Sequence, residues 1–191
     1  MSQLGVYQGV PRDALGYLNS APPVDATQTF YRANLPRYPL DDVAEALATG
    51  VMTAVPLWLR AGDTVTNLSF LSGATAGGTL THWWFALYSN AATPALLAQT
   101  ADQTSAAWAA DTWKTLALSA PQKITASGIY YAACMVAATT VPSLMGARGA
   151  KALVTGETPL GQTSGSALAA TATATLASPA AARQLPLVVA T

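Results

Sequence analysis

Charge is what this chain has least of. Lys plus Arg number nine and Asp plus Glu nine among 191 residues, so 9% are charged and the formal net charge is zero; an ordinary globular domain carries roughly 25%. Nucleic acid is held mainly by Lys and Arg that neutralise phosphates, and the missing basic excess argues against such a partner. A free monomer of this composition would show a surface of Ala, Thr, Ser and Gly, poorly protected against association. Much of that surface is therefore expected to lie against other subunits.

Cysteine and histidine are almost absent, with Cys134 and His82 the single residues of their kinds. One cysteine excludes an intramolecular disulfide and a cysteine-only zinc site within one chain. Its setting in the run YYAACMV reads as a small buried hydrophobe rather than a reactive thiol. His82 lacks the His or Cys cluster that metal binding or catalysis needs. Long apolar runs are missing as well. The longest, residues 129–138, stops at Thr139, short of the roughly 18 to 20 residues that cross a bilayer, so no membrane contact is expected. The stretch MSQLGVYQGVPRDALG has neither the basic region nor the continuous apolar region of a secretory signal. GQTSG at 161–165 has the spacing of a nucleophile elbow with Thr in the nucleophile's place, but it lies in a low-complexity stretch without a strand before it or a helix after it. Asn67-Leu68-Ser69 is a formal glycosylation sequon, read as accidental without a secretory signal. No catalytic, metal or cofactor-binding residue is assigned, and the chain is read as a non-enzyme that needs no cofactor.

What is present is a block of short apolar strands closed by turns. Residues 51–138 hold all five tryptophans and little charge. Along residues 51–60 the period is two, with Val51, Thr53, Val55, Leu57 and Leu59 on one face and Met52, Ala54, Pro56, Trp58 and Arg60 on the other. Pro56 cannot donate to a ladder, which places this run at a sheet edge or a bulge. Further strands are expected at 64–72, 82–88, 96–100, 113–118, 123–125 and 129–137, and both faces of 82–88 look covered. The spacing predicts an all-β fold, an antiparallel β-sandwich of jelly-roll or Ig-like type, over residues 40–146. Apolar Leu40, Val43, Ala44 and Leu47 predict one short helix over residues 40–49, started by Asp41 or Asp42 and ended by Gly50.

Before the sandwich, residues 1–39 hold five of the twelve prolines and isolated aromatics, which predicts an extended N-terminal arm lying across another surface. Its partner-binding candidates are Tyr7, Arg12, Tyr17, Phe30, Tyr31, Arg32, Arg37 and Tyr38. Burial of the aromatics would supply most of the affinity, because exposed ion pairs contribute only about 0–1 kcal/mol. Residues 147–191 read as a low-complexity tail, uncharged over 158–182, that returns at 184–190 as a final strand. Among the tryptophans, Trp83 and Trp113 are expected in the core. Trp58 and Trp108 are the more open pair, candidates for a ligand or subunit contact, since an aromatic face can stack on a sugar ring.

Five stretches carry a resemblance: AGDTVTNLSFLSG (61–73), WFALYS (84–89), LLAQTAD (96–102), WAADTWKTLALSAP (108–121) and SGIYYAACMVAATTVPSLMG (127–146). Over about half the chain they resemble a family of small virion proteins from phages of actinobacteria, described as minor tail, head-fibre or capsid-decoration proteins. The resemblance implies a β-sandwich head attached to a particle. The resulting expectation is a non-enzymatic structural protein on the exterior of the virion, decorating the capsid through its arm. Its partners would be the major capsid protein or other virion subunits, including further copies of itself. The alternative is a minor tail protein that recognises a host-surface glycan.

Overall fold

The computed structural model describes residues 6–7, 10–11, 32–36, 40–43, 47–149 and 161–191. They form fifteen strands and no helix: β1 (Val6–Tyr7), β2 (Val10–Pro11), β3 (Arg32–Ala33), β4 (Asp41–Val43), β5 (Val51–Leu59), β6 (Thr64–Leu71), β7 (Gly78–Tyr88), β8 (Leu96–Gln99), β9 (Trp113–Lys123), β10 (Gly128–Thr140), β11 (Leu144–Arg148), β12 (Gly161–Ser164), β13 (Ala180–Ala182), β14 (Gln184–Pro186) and β15 (Val188–Ala190). Every pairing among them is antiparallel. A six-stranded sheet runs β13-β12-β5-β10-β7-β8, a four-stranded sheet β3-β15-β6-β9, and a three-stranded sheet β14-β11-β4. β1 and β2 form a two-stranded sheet.

The main core lies where the six-stranded and four-stranded sheets face one another. Period-two alternation sends Val55, Leu57 and Leu59 of β5, Trp83, Phe85 and Leu87 of β7, and Ala132, Cys134 and Val136 of β10 to one side. They meet Val65, Leu68 and Phe70 of β6 and Val188 and Ala190 of β15. Four aromatic rings form its centre, with centroids 4.6 Å apart for Phe70–Phe85, 5.0 Å for Trp83–Trp108 and 5.6 Å for Phe85–Trp108. A bridge between Thr100 and Leu118 joins the β8 edge of one sheet to the β9 edge of the other.

The opposite face of the six-stranded sheet is also covered, as the tryptophan-rich strand at 82–88 led us to expect. Met52, Ala54, Trp84, Ala86, Tyr88, Ala133 and Met135 pack beneath Leu168, Ala172 and Leu176. The covering segment, residues 165–179, is mostly coil. It is neither the linker nor the regular strand that its composition suggests. The alanines on both sides keep the two layers close enough for sheet side chains to reach the segment's backbone. Trp84 Nε1 donates to Ala169 O at 2.6 Å, Gln99 Nε2 to Ala170 O at 2.7 Å and Tyr88 OH to Thr173 O at 2.9 Å. In return Ala172 N–H donates to Gln99 Oε1 at 2.6 Å and Leu176 N–H to Pro94 O at 2.9 Å. An uncharged, Ala/Thr-rich stretch thus satisfies its polar backbone against the protein instead of water.

Two expectations need correction. Residues 41–43 are a strand, β4, where a helix is expected over 40–49, and no helix occurs at 47–50. Asp42 decides it: its Oδ2 accepts the Ala74 N–H at 2.9 Å, and its carboxylate fills the space left by the missing side chain of Gly73. Val43 is buried and pairs with Leu144 of β11, so tertiary packing overrides a weak helical period. Nor do the described residues support a single extended arm over 1–39. β1 and β2 form a hairpin, and β3 belongs to the four-stranded sheet through β15. Asn34 ties this segment down, donating from Nδ2 to Pro186 O and accepting the Val188 N–H at Oδ1, each at 2.9 Å.

The remaining differences are local. β9 runs unbroken to Lys123 through Pro121, where two strands are expected; its place at the margin of the four-stranded sheet tolerates a residue without an N–H. The final apolar run splits into β14 and β15, which serve different sheets. Pro56 lies where its chemistry requires, because β12 pairs with β5 only as far as Ala54 and leaves that margin free beyond.

Candidate functional site

A groove of about 730 Å³ lies at one end of the six-stranded sheet, on the face turned away from the main core. Its floor is the cross-strand pair Trp58 and Ile129, followed by Tyr131. Trp58 is 51% and Ile129 46% exposed. The period of two places Trp58 here, on the face of Met52 and Ala54 and opposite Val55, Leu57 and Leu59.

Two segments wall the groove. One is the loop at 90–94, closed by Ser89: its N–H donates to Ala95 O at 2.8 Å and its Oγ accepts the Ala95 N–H at 3.0 Å. Asn90 leans over Gly128, whose hydrogen side chain makes room; a Cβ there would lie 2.8 Å from Asn90 Nδ2. The other is Ser178–Pro179, which follows Leu176 out of the covering layer. Between them Gln162 of β12, paired with Ala54, lines the groove. Gln162 is only 3% exposed. None of the described residues lining the groove is charged.

A second surface is flat. The outer face of the four-stranded sheet presents Ala33, Val189, Ser69 and Thr115 in one registered row, flanked by the pairs Leu71–Trp113 and Asn67–Ala117. None of these side chains is charged. Trp113 is 42% exposed there, which reverses the expectation that it belongs to the core. Leu116 and Leu118 point inward instead, and the alternation of an outermost strand turns Trp113 out.

The other sequence candidates fall as follows. Trp108 is 1% exposed, not open: its loop folds back over the end of the core, with Nε1 donating to Thr112 O at 3.2 Å. Arg32, a candidate for pairing with a partner, is buried within the chain. Its Nε and Nη2 donate to Asp63 Oδ2 and Oδ1 at 2.8 and 2.6 Å. Burial lowers the Arg32 pKa, and the hydrogen bonds and charge of Asp63 oppose that shift. Asp63 also accepts the Arg60 N–H at 2.8 Å, closing the β5–β6 turn in which Gly62 takes a φ of 97°. Tyr7 contributes its backbone to β1; Arg12, Tyr17, Phe30, Tyr31, Arg37 and Tyr38 lie outside the described residues.

His82 and Asp102 form a pair, with Nδ1 and Oδ2 2.7 Å apart. Asp102 Oδ1 accepts the N–H groups of Trp83 and Thr104 at 3.1 and 3.2 Å, so the carboxylate ties the 102–104 turn to β7. No hydroxyl is hydrogen-bonded to the imidazole among the described residues. Within those residues no three His, Cys, Asp or Glu side chains converge as metal ligands. Cys134 is fully buried, which raises its pKa and keeps it a thiol.

Sequence reasoning found Trp58 from its strand parity. It passed over Ile129, Asn90 and Gln162; only the cross-strand pairing of residue 58 with 129 would have suggested the first. No model of a known protein family matches the chain, and no curated protein matches it either.

Proposed function

We propose that this chain is a non-enzymatic structural protein of a bacteriophage particle, a β-sandwich of jelly-roll or Ig-like type that sits on the exterior of the capsid. The observation that carries the reading is the outer face of the four-stranded sheet, where exposed Trp113 stands among uncharged side chains and Lys123, paired with Thr64, is the charged residue at the far end. A sheet face with little charge to deter association and an exposed indole on it is suited to burial against another protein. The sequence resemblance supplies the particle, and the composition fits subunits that bury much of their surface on assembly. The partner in this reading is the major capsid protein or a neighbouring virion subunit, including a second copy of the chain. The aromatic-rich residues 1–31 supply a further contact.

The test is incorporation. Tagged full-length chain, supplied during phage assembly, should appear in multiple copies on the outside of purified particles by immunogold microscopy. Ala117→Glu, which puts a charge into the flat face at an exposed position, should reduce incorporation at least tenfold while the purified variant melts at the wild-type temperature. Absence of the wild-type chain from purified particles would refute the proposal.

A further inference from the structure

We propose that the groove beside Trp58 binds a neutral oligosaccharide. This goes beyond a structural role, because the groove and the Trp113 face lie on opposite sides of the paired sheets and serve separate contacts.

Three observations converge. The described residues of the lining carry no charge, which leaves none of them to pair with a phosphate, carboxylate or ammonium ligand. The floor offers the half-exposed indole of Trp58 beside Ile129. That apolar patch is flat, suited to the C–H face of a pyranose ring and supported by an aromatic π-system. Beside it, Gln162 and Asn90 bring side-chain amides to the lining. An amide offers a donor and an acceptor on adjacent atoms, which suits neighbouring hydroxyls or an acetamido group of a sugar. The volume, about 730 Å³, falls in the usual range for small-molecule sites, roughly 300–1,000 Å³.

A peptide strand is a poorer occupant. Strand addition needs a run of backbone donors along a free sheet margin. The margin of β5 beyond its pairing with β12 is interrupted by Pro56, which has no N–H to offer.

The experiment titrates the full chain with chitotetraose and with cellotetraose, followed by calorimetry and by the NMR signals of the tryptophan indoles and side-chain amides. Saturable binding of at least one sugar is expected, with shifts at Trp58 and at the Gln162 amide. Trp58→Ala should weaken binding at least tenfold, whereas Trp113→Ala should leave it unchanged. Trp58→Ala should also leave particle incorporation intact, so failure here is distinguishable from failure of the capsid reading. The proposal is overturned if neither sugar saturates, if Trp58→Ala binds like the wild type, or if a synthetic peptide of residues 1–31 occupies the groove and excludes the sugar.

Discussion

Replacing Gln99 by Met tests whether the coil over residues 165–179 is a structural layer. The two side chains are close in length and volume, so packing is largely kept while two hydrogen bonds are lost. Nε2 donates to Ala170 O at 2.7 Å, and Oε1 accepts the Ala172 N–H at 2.6 Å. The Ala170 carbonyl lies at the surface, where water replaces the lost donor, and that loss costs about 0.5–1.5 kcal/mol. Ala172 is buried, so its N–H is left without a partner at a cost of about 1–3 kcal/mol. Together they come to about 1.5–4.5 kcal/mol. The assay combines urea unfolding with hydrogen exchange read peptide by peptide. The midpoint should fall, and amides at 168–176 should lose more protection than those of β10 in the centre of the sheet, because the layer opens locally before the core does. Unchanged protection over 168–176, with a midpoint shift worth less than 0.5 kcal/mol by the same reckoning, would refute the layered reading.

Two further predictions rest on buried polar groups. Arg32→Met removes the cation from a pair whose side chains are almost wholly enclosed, leaving an uncompensated Asp63, and should cost about 3–5 kcal/mol by urea unfolding; a loss below 1 kcal/mol would show the pair to be solvated. Alkali should destabilise the fold, because burial raises the pKa of both Cys134 and Tyr88 from their ordinary values of 9.0 and 10.0. The folded state then holds protons that the unfolded state releases, so the contribution is complete below pH 9 and is lost as pH rises above it. The slope approaches about 1.4 kcal/mol per pH unit for Cys134 alone, with Tyr88 adding to it above pH 10. Urea midpoints at pH 8, 9, 10 and 11 measure it; a flat profile in the wild type, or an equal slope in Cys134→Ala, would contradict the burial.

Much of the all-β fold is legible in the sequence because the strands alternate. Val55, Leu57 and Leu59 against Met52 and Ala54 assign both faces of β5 before any coordinates, and the covered look of 82–88 anticipates a second layer. What alternation cannot carry is competition from tertiary contacts. LDDVAEALAT has a helical period, yet the Asp42 carboxylate fits over Gly73 and Val43 pairs with Leu144, neither of which is near in sequence. Trp108 has the same origin: a loop tryptophan looks open until the loop at 101–112 folds back to place its ring 5.0 Å from that of Trp83. Trp113 is the converse, a strand tryptophan that faces outward because its register pairs it with Leu71, on the side of the sheet opposite core Phe70.

The groove shows where local signals end. Trp58 is legible from parity alone, but the rest of the site is assembled from four distant stretches: the end of β5, the loop at 90–94, the start of β10 and the β12–β13 region. Gln162 belongs to GQTSG, a stretch whose sequence draws attention to its threonine and its glycines. Folding makes the glutamine the informative residue, by pairing β12 with β5 so that residue 162 lies beside Ala54 on the Trp58 face. The low charge of the chain also takes on a local meaning. A charged side chain on the flat face of the four-stranded sheet would oppose burial, and one in the groove would favour an ionic ligand. Apart from Lys123 at the end of the sheet face, the described residues of both surfaces are uncharged, which fits neutral partners held by stacking and short hydrogen bonds. Raising the salt concentration should therefore leave both contacts nearly unchanged, since the screening that weakens ion pairs has little to act on.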